Sequence, residues 1–362
     1  MGPIAIIGTG LIGGSLGLAL RAARAELEVV GYDDDPSGGR GARERGAVSR
    51  LASSLEEAVS QARITVLCMP VDRIPQTLTK VAGLIGRDAV VTDVGSAKEK
   101  VVAAGESSVG ERFVGGHPMA GSERHGIEAA DADLFEDARW VLTPTAATSS
   151  SAYAAVIEMV GWVGATPVAL DPVVHDALVA RLSHVPQLAA SALVELAVGA
   201  GDGDALLGLA GRGFRDVTRI AASNPELWVA IVNANQKAVL EGLSGFEELL
   251  GSLGHLIRTG RWSELERWFA GARRARLEAF TKPVPRGLPV TLSLMIPDRP
   301  GVLAEVTTAA GELGANIEDL RIDHSTEGER GRLELLVSGA PAAERLSVEL
   351  GALGYHVEKV VD

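Results

Sequence analysis

The chain has 362 residues, 46% of them hydrophobic, and a net charge of -13. That length suits two or three domains, and an acidic chain without a long basic run argues against nucleic acid or an anionic membrane as partner. A single cysteine rules out an intrachain disulfide and speaks against a thiolate metal site, so no metal is expected. With no leader and no membrane-length apolar run read from the sequence, the expected setting is a reducing cytoplasm.

The first strong signal is Ile4-Ala5-Ile6-Ile7, a buried parallel strand by its apolar run, followed by Gly8, Gly10 and Gly13 at G-x-G-x-x-G spacing and a helical pattern from Leu11 to Ala23. Gly8 permits the turn, Gly10 lets a pyrophosphate approach the backbone, and Gly13 lets the helix pack on the sheet. The phosphates would sit on free N–H groups at the helix N-terminus. The second strand, Glu28 to Tyr32, ends in Asp33, about 20 residues beyond the glycines, where a ribose-binding carboxylate is expected. Asp33 could instead be a turn or cap residue, since Asp34, Asp35 and Pro36 follow. As a ribose ligand it selects NAD, because carboxylates repel the extra phosphate of NADP. Leu11 and Ile12 in the glycine loop, and Met69 at the end of the next strand, complete the expected cofactor contacts.

Further strands are expected at Ile64–Met69, Ala89–Val94, Phe113–Gly116 and Trp140–Thr143. Strand and helix signals alternate over residues 1–168, which predicts an α/β fold with a Rossmann-type doubly wound parallel sheet. Ligands in such sheets bind beyond the carboxyl ends of the strands. Two loops there carry chemistry. His117, after Gly115-Gly116, suits proton acceptance near neutral pH, although a loop His bonded to backbone fits too, and His125 is a rival. Ser96 with Glu99 matches a capping box that would also place a hydroxyl near the nicotinamide.

Residues 169–282 read as an all-helical second domain. Asp171-Pro172 and Asn224-Pro225 are helix starts, the first helix running to about Val198 with a kink at Pro186 and the second to about Leu243 and beyond. Ser263 to Glu266 reads as a capping box opening a third. Long apolar helices of this kind bury against each other or a second subunit, so a homodimer is expected. Ser183-His184 is a polar position on the first helix, and Arg215 and Arg219 flank a break in the pattern that Gly213 opens. Each arginine is either a surface residue or a carboxylate ligand. Thr281 to Gly287 is a linker, and residues 288–362 read β-α-β-β-α-β, with strands near Val290–Ile296, Ile317–His324, Gly331–Val337 and His356–Val360.

Taken together, Gly-Leu-Ile-Gly-Gly-Ser-Leu at 10–16, Asp-Val-Gly-Ser-Ala-Lys at 93–98, Gly-His-Pro-Met-Ala-Gly at 116–121, Ser-His-Val-Pro at 183–186, Gly-Phe-Arg-Asp-Val-Thr-Arg at 213–219 and Asn-Pro-Glu-Leu-Trp at 224–228 resemble the prephenate dehydrogenase family. The tail, with Asp298-Arg299-Pro300-Gly301 and Gly314-Ala315-Asn316-Ile317, resembles an ACT domain. The resemblance implies NAD-dependent oxidative decarboxylation of prephenate to 4-hydroxyphenylpyruvate, a step toward tyrosine. It implies His117 as the catalytic base, Ser96 as its helper at the substrate hydroxyl, Arg219 on a substrate carboxylate and His184 in the substrate site. Trp228 and Arg215 are further substrate-side candidates. It also implies tyrosine as an effector of the ACT-like tail, with Gly301 and Asn316 in its pocket. Arogenate, which carries an ammonium where prephenate has a ketone, is the alternative substrate. A non-catalytic amino-acid sensor is the alternative from another class.

Overall fold

A computed structural model describes residues 2–121, 124–199, 209–280, 290–297, 302–313, 315, 317–324, 330–337 and 339–360. It divides into two compact units, Met1–Ser252 and Leu253–Asp362.

The first unit opens with β1 (Ile4–Ile7), α1 (Leu11–Ala23), β2 (Val29–Tyr32), α2 (Pro36–Glu44), β3 (Arg50–Leu51), α3 (Leu55–Val59), β4 (Ile64–Leu67), α4 (Ile74–Ala82), β5 (Val90–Asp93) and α5 (Glu99–Ser108). It continues through β6 (Phe113–Pro118), β7 (Arg139–Thr143), α6 (Ser150–Trp162) and β8 (Thr166–Ala169). The eight strands form one sheet in the order β3-β2-β1-β4-β5-β6-β7-β8. The reversal on either side of β1 makes the fold doubly wound. β1 shows why both faces must be covered: Ile4 and Ile6 belong to one buried cluster, and Ala5 and Ile7 to the other.

The sheet departs from an all-parallel reading at one pair. β6 and β7 run antiparallel, with His117 opposite Val141. β3 and β8 were not anticipated, because β3 is only two residues long and β8 is half-buried.

The glycine loop is explained by close approach. Gly8 has φ +95°, a left-handed conformation, and a Cβ there would lie 2.6 Å from the carbonyl oxygen of Cys68. A Cβ on Gly13 would lie 1.9 Å from the Gly8 oxygen. Gly10 has open space where its Cβ would be, and α1 starts there without a side-chain cap or an acid in its first turn. The N-terminal N–H groups of α1 are thus left for an anionic ligand.

The helical part comprises α7 (Pro172–Val179), a π turn at Ala180–His184, α8 (Val185–Val198), α9 (Arg212–Thr218), a 3-10 turn at Arg219–Ala222, α10 (Pro225–Ala234) and α11 (Gln236–Arg258). Asp171 caps α7 and Asn224 caps α10, both as read from the sequence. The expected kink near Pro186 takes the form of that π turn: the N–H of Val185 reaches back to Ala180, and Pro186 brings no N–H of its own. The single helix expected after Asn224 breaks at Asn235, and Gly213 lies inside α9 rather than in a break. Contrary to the sequence reading, Pro172–Val198 is long and apolar enough to cross a membrane by length and composition. Its buried face carries His175, Asp176 and His184, all hydrogen-bonded within the protein.

The second unit contains α12 (Trp262–Phe280), β9 (Val290–Pro297), α13 (Val302–Glu312), β10 (Ile317–His324), β11 (Arg330–Val337), α14 (Ala340–Ala352) and β12 (Val357–Val360). α12 begins one residue before Ser263, so the expected capping box is not formed, and Glu264 pairs instead with Arg261. The four strands form an antiparallel sheet in the order β10-β11-β9-β12, the arrangement of a βαββαβ fold. Leu292, Leu294 and Ile296 alternate onto one face with Leu333, Leu335 and Val337, and Leu346 and Leu350 of α14 cover them. The linker 281–287 and the loop 298–301 lie outside the described residues.

Candidate active site

A cavity of about 410 Å³ opens at the carboxyl ends of β1, β2 and β4, lined by Gly8, Gly10, Tyr32, Asp33, Met69 and Arg73 among others. Asp33 is held against the glycine loop by the N–H of Thr9 at 2.6 Å and its hydroxyl at 2.9 Å, both on Oδ2. Among the described residues Oδ1 accepts a hydrogen bond from the N–H of Asp35 at 2.9 Å, and a carboxylate oxygen can accept a second, toward the cavity. The acidic run therefore divides its work. Asp35 caps α2 through Ser37 and Gly38, Asp34 accepts from the Tyr32 hydroxyl at 3.0 Å, and Asp33 lines the cleft. The uncapped α1, the open position at Gly10 and this carboxylate together fit a dinucleotide.

Two further cavities continue from the cleft. The one of about 330 Å³ is lined by Leu11, Ile12, Met69, Ser96 and His117; the one of about 530 Å³ by Ser96, His117, His184, Arg219 and Trp228. Ser96 and His117 belong to both, so they stand where a cofactor and a substrate would meet. His125 and Arg124 also line both. Arg215 is exposed on α9 and is absent from the lining of either cavity, in contrast to the sequence reading. Gly301 and Asn316 lie outside the described residues.

His117 is set by what surrounds Gly116. The Gly116 N–H donates to Asp93 Oδ1 at 3.1 Å, and its carbonyl accepts from Lys98 Nζ at 2.8 Å. Lys98, wholly buried, forms an ion pair with Asp93. Burial lowers the Lys98 pKa, opposed by the Asp93 carboxylate.

From His117 a chain of hydrogen bonds runs into the helical part. His117 Nδ1 lies 2.9 Å from His175 Nε2, and His175 Nδ1 lies 2.8 Å from Asp176 Oδ1. Asp176 also accepts the Lys98 N–H at 2.7 Å and the Glu99 N–H at 2.9 Å. The carboxylate thus caps α5, and the expected capping box of Ser96 with Glu99 is not formed: α5 starts only at Glu99, and no side chain near in sequence caps it. As an acceptor, Asp176 requires the proton of His175 on Nδ1. With His175 neutral, its Nε2 accepts, and the proton of His117 lies on Nδ1. His117 Nε2 is left with its lone pair. Burial holds the His117 pKa well below the usual 6.5, reinforced by His175, Lys98 and His184. Burial likewise lowers that of His184 to about 4, helped by His175 and opposed by Asp176.

His184 stands at the end of the π turn, edge-on to Trp228 with ring centroids 6.0 Å apart. Asn235, at the break between α10 and α11, donates to the Asp176 carbonyl at 2.9 Å and lies 3.3 Å from His184 Nδ1. The sequence reading missed His175, Asp176, Asn235 and the role of Lys98. The available signal was a pair of ionisable residues early in an otherwise apolar helix.

A dinucleotide cleft that meets a second cavity at a neutral imidazole defines a dehydrogenase site. Residues 16–169 match the family model for the prephenate dehydrogenase nucleotide-binding domain, and residues 171–271 that for the prephenate dehydrogenase dimerization domain. The prephenate dehydrogenase of Bacillus subtilis (strain 168) is 30% identical over 92% of this chain and 91% of its own length. The crystal structure of prephenate dehydrogenase from Aquifex aeolicus, in complex with hydroxyphenyl propionate and NAD+, aligns with a TM-score of 0.73 at 32% identity, covering 77% of this chain and 98% of that one. Synechocystis arogenate dehydrogenase aligns with a TM-score of 0.67 at 34% identity, covering 76% and 99%. The chain belongs to the prephenate dehydrogenase family.

The double use of Asp176 makes it the sensitive position of the scaffold. Asp176→Ala should destabilise the protein by about 2–4 kcal/mol, a lost helix cap added to a lost buried hydrogen bond. Asp176→Asn, which keeps one acceptor oxygen, should cost less. Urea unfolding of the three proteins checks the order, and an unchanged midpoint in Asp176→Ala would contradict it.

Proposed function

We propose that the protein oxidises prephenate with NAD, releasing carbon dioxide and 4-hydroxyphenylpyruvate, and that it works as a homodimer in the cytoplasm. The observation that supports this most is the place of His117 at the junction of the two cavities, with its Nδ1 engaged by His175. NAD, when bound, accepts the hydride from the ring carbon that bears the hydroxyl. His117 Nε2 takes the hydroxyl proton as that hydride departs, and the chain through His175 to Asp176 stabilises the imidazolium that forms. Ser96 holds the hydroxyl in line. Arg219, in the larger cavity, pairs with the ring carboxylate until carbon dioxide leaves, and His184 and Trp228 wall the ring. Loss of that carboxylate from the ring carbon opposite the hydroxyl makes the ring aromatic and supplies the driving force. Asp33 on the ribose selects NAD over NADP.

Leu182, Leu196 and Val229 stand exposed in the helical part, which fits a subunit interface there. In this reading the βαββαβ tail is an ACT domain that binds tyrosine, with Gly301 and Asn316 in its pocket. Oxidation of arogenate is the second reading, differing only in the side chain that the larger cavity would receive.

The reading is tested by NADH formation from prephenate. His117→Asn should lower turnover by about 10²–10⁴-fold with a smaller effect on KM. The sign of the pH effect follows from the lowered His117 pKa: the imidazole stays neutral into more acidic solution, so the acid limb of kcat/KM should have its midpoint below 6.5. Full activity in His117→Asn, or no NADH from the parent protein, would contradict it. Tyrosine should inhibit without competing with prephenate, and Gly301→Asp should relieve that inhibition. A competitive pattern would put tyrosine in the active site instead.

A further inference from the structure

His184 ends the π turn and lines the larger cavity. Its ring is held from behind by Asn235, which is 5% exposed at the break between α10 and α11. Asn235 Nδ2 donates to the Asp176 carbonyl at 2.9 Å. That bond fixes the orientation of the amide, because a reversed amide would set its oxygen against the carbonyl oxygen. The same Nδ2 lies 3.3 Å from His184 Nδ1 and has a second hydrogen for it. An amide nitrogen only donates, so His184 Nδ1 accepts and the proton of the neutral ring lies on Nε2. A second proton, on Nδ1, would point at the amide N–H. The contact therefore opposes the imidazolium, and burial acts in the same direction.

His184 Nε2 makes no hydrogen bond among the described residues, and it is not one of the buried side-chain atoms left without a partner. It reaches instead the cavity that His184 lines. No Asp or Glu is among the described residues of that lining. The cavity thus suits a ligand rich in acceptors. Prephenate, with its hydroxyl at His117, brings two carboxylates and a ketone to it. The two histidines would then meet the substrate in opposite senses, His117 through a lone pair and His184 through an N–H.

Resting on the function proposed above, we infer that Asn235 is a positioning residue: its amide holds His184 as the tautomer with the proton on Nε2, and His184 thereby donates a hydrogen bond to an oxygen of the substrate in the larger cavity. Such a bond is made before and after the hydride leaves, so its loss falls on KM rather than on kcat.

Two measurements test this. The first is nitrogen NMR of ring-labelled histidine in the parent protein, with the His184 signals assigned through His184→Gln. His184 should be neutral, with Nε2 protonated and Nδ1 bare. A His184 protonated on Nδ1 would overturn the inference, and this result needs no Asn235 variant to fold. The second is the kinetics of NADH formation from prephenate. Asn235→Leu, of the same branched shape but without the N–H, should raise KM about 10-fold with a smaller change in kcat. His184→Gln brings an amide nitrogen near the place of Nε2 and no longer needs Asn235, so adding Asn235→Leu to it should leave KM where His184→Gln put it. An equal loss in both backgrounds would make Asn235 merely structural and overturn the inference, as would an unchanged KM in folded Asn235→Leu. A parent that forms no NADH from prephenate would overturn the function proposed above, and the donor role of His184 with it; an active parent with the other His184 tautomer would overturn this inference alone.

Discussion

The Asp176 carboxylate is the point on which the site depends. It sits at the N-terminus of α5, where the aligned peptide dipoles amount to about half a positive charge, and it accepts the two backbone N–H groups of Lys98 and Glu99 there. The same carboxylate accepts from His175. One group therefore attaches the first helix of the helical part to the nucleotide-binding sheet and places a proton on His175 Nδ1. Scaffold and proton chemistry are coupled, because the bonds that cap α5 are those that orient the acceptor of the relay.

The buried Lys98–Asp93 pair adds positional control. Taking two charges out of water is expensive, and a buried pair is weak grounds for claiming stability. What this pair does is hold both sides of the Gly116 residue, its N–H by Asp93 and its carbonyl by Lys98, directly before His117. The Lys98 ammonium also adds to the forces that keep His117 neutral. An imidazole held unprotonated is what a base for a hydroxyl proton needs, and burial and neighbouring charge work in the same direction here.

The parts of the fold that could be read from the sequence were those whose cause is local. The positive φ at Gly8, the packing of Gly13 against Gly8 and the acid after β2 depend on residues within one βαβ unit, and the caps at Asp171 and Asn224 on residues two or three positions further along the chain. The relay could not be read that way. His175 is 58 residues from His117, and nothing in either segment alone says that they meet. The same distance explains the mistaken capping box. Ser96 and Glu99 match the local pattern, but an acceptor 77 residues from Glu99 already caps the helix, so the backbone begins its helical turn later. Asn235 is similar: its helix pattern is continuous in sequence, and the break puts its amide between the Asp176 carbonyl and His184. The antiparallel β6–β7 pair escaped because strand direction is a matter of chain return, which apolar runs do not encode.

The proton positions in the relay are the central claim, and they can be observed directly. Nitrogen NMR of ring-labelled histidine, assigned through His117→Asn and His175→Asn, reports the tautomer and charge of each imidazole at neutral pH. The account predicts that His117 is neutral and that both rings carry a proton on Nδ1, with the His117 Nε2 resonance that of an unprotonated nitrogen. A His117 protonated on Nε2, or on both nitrogens, would contradict it.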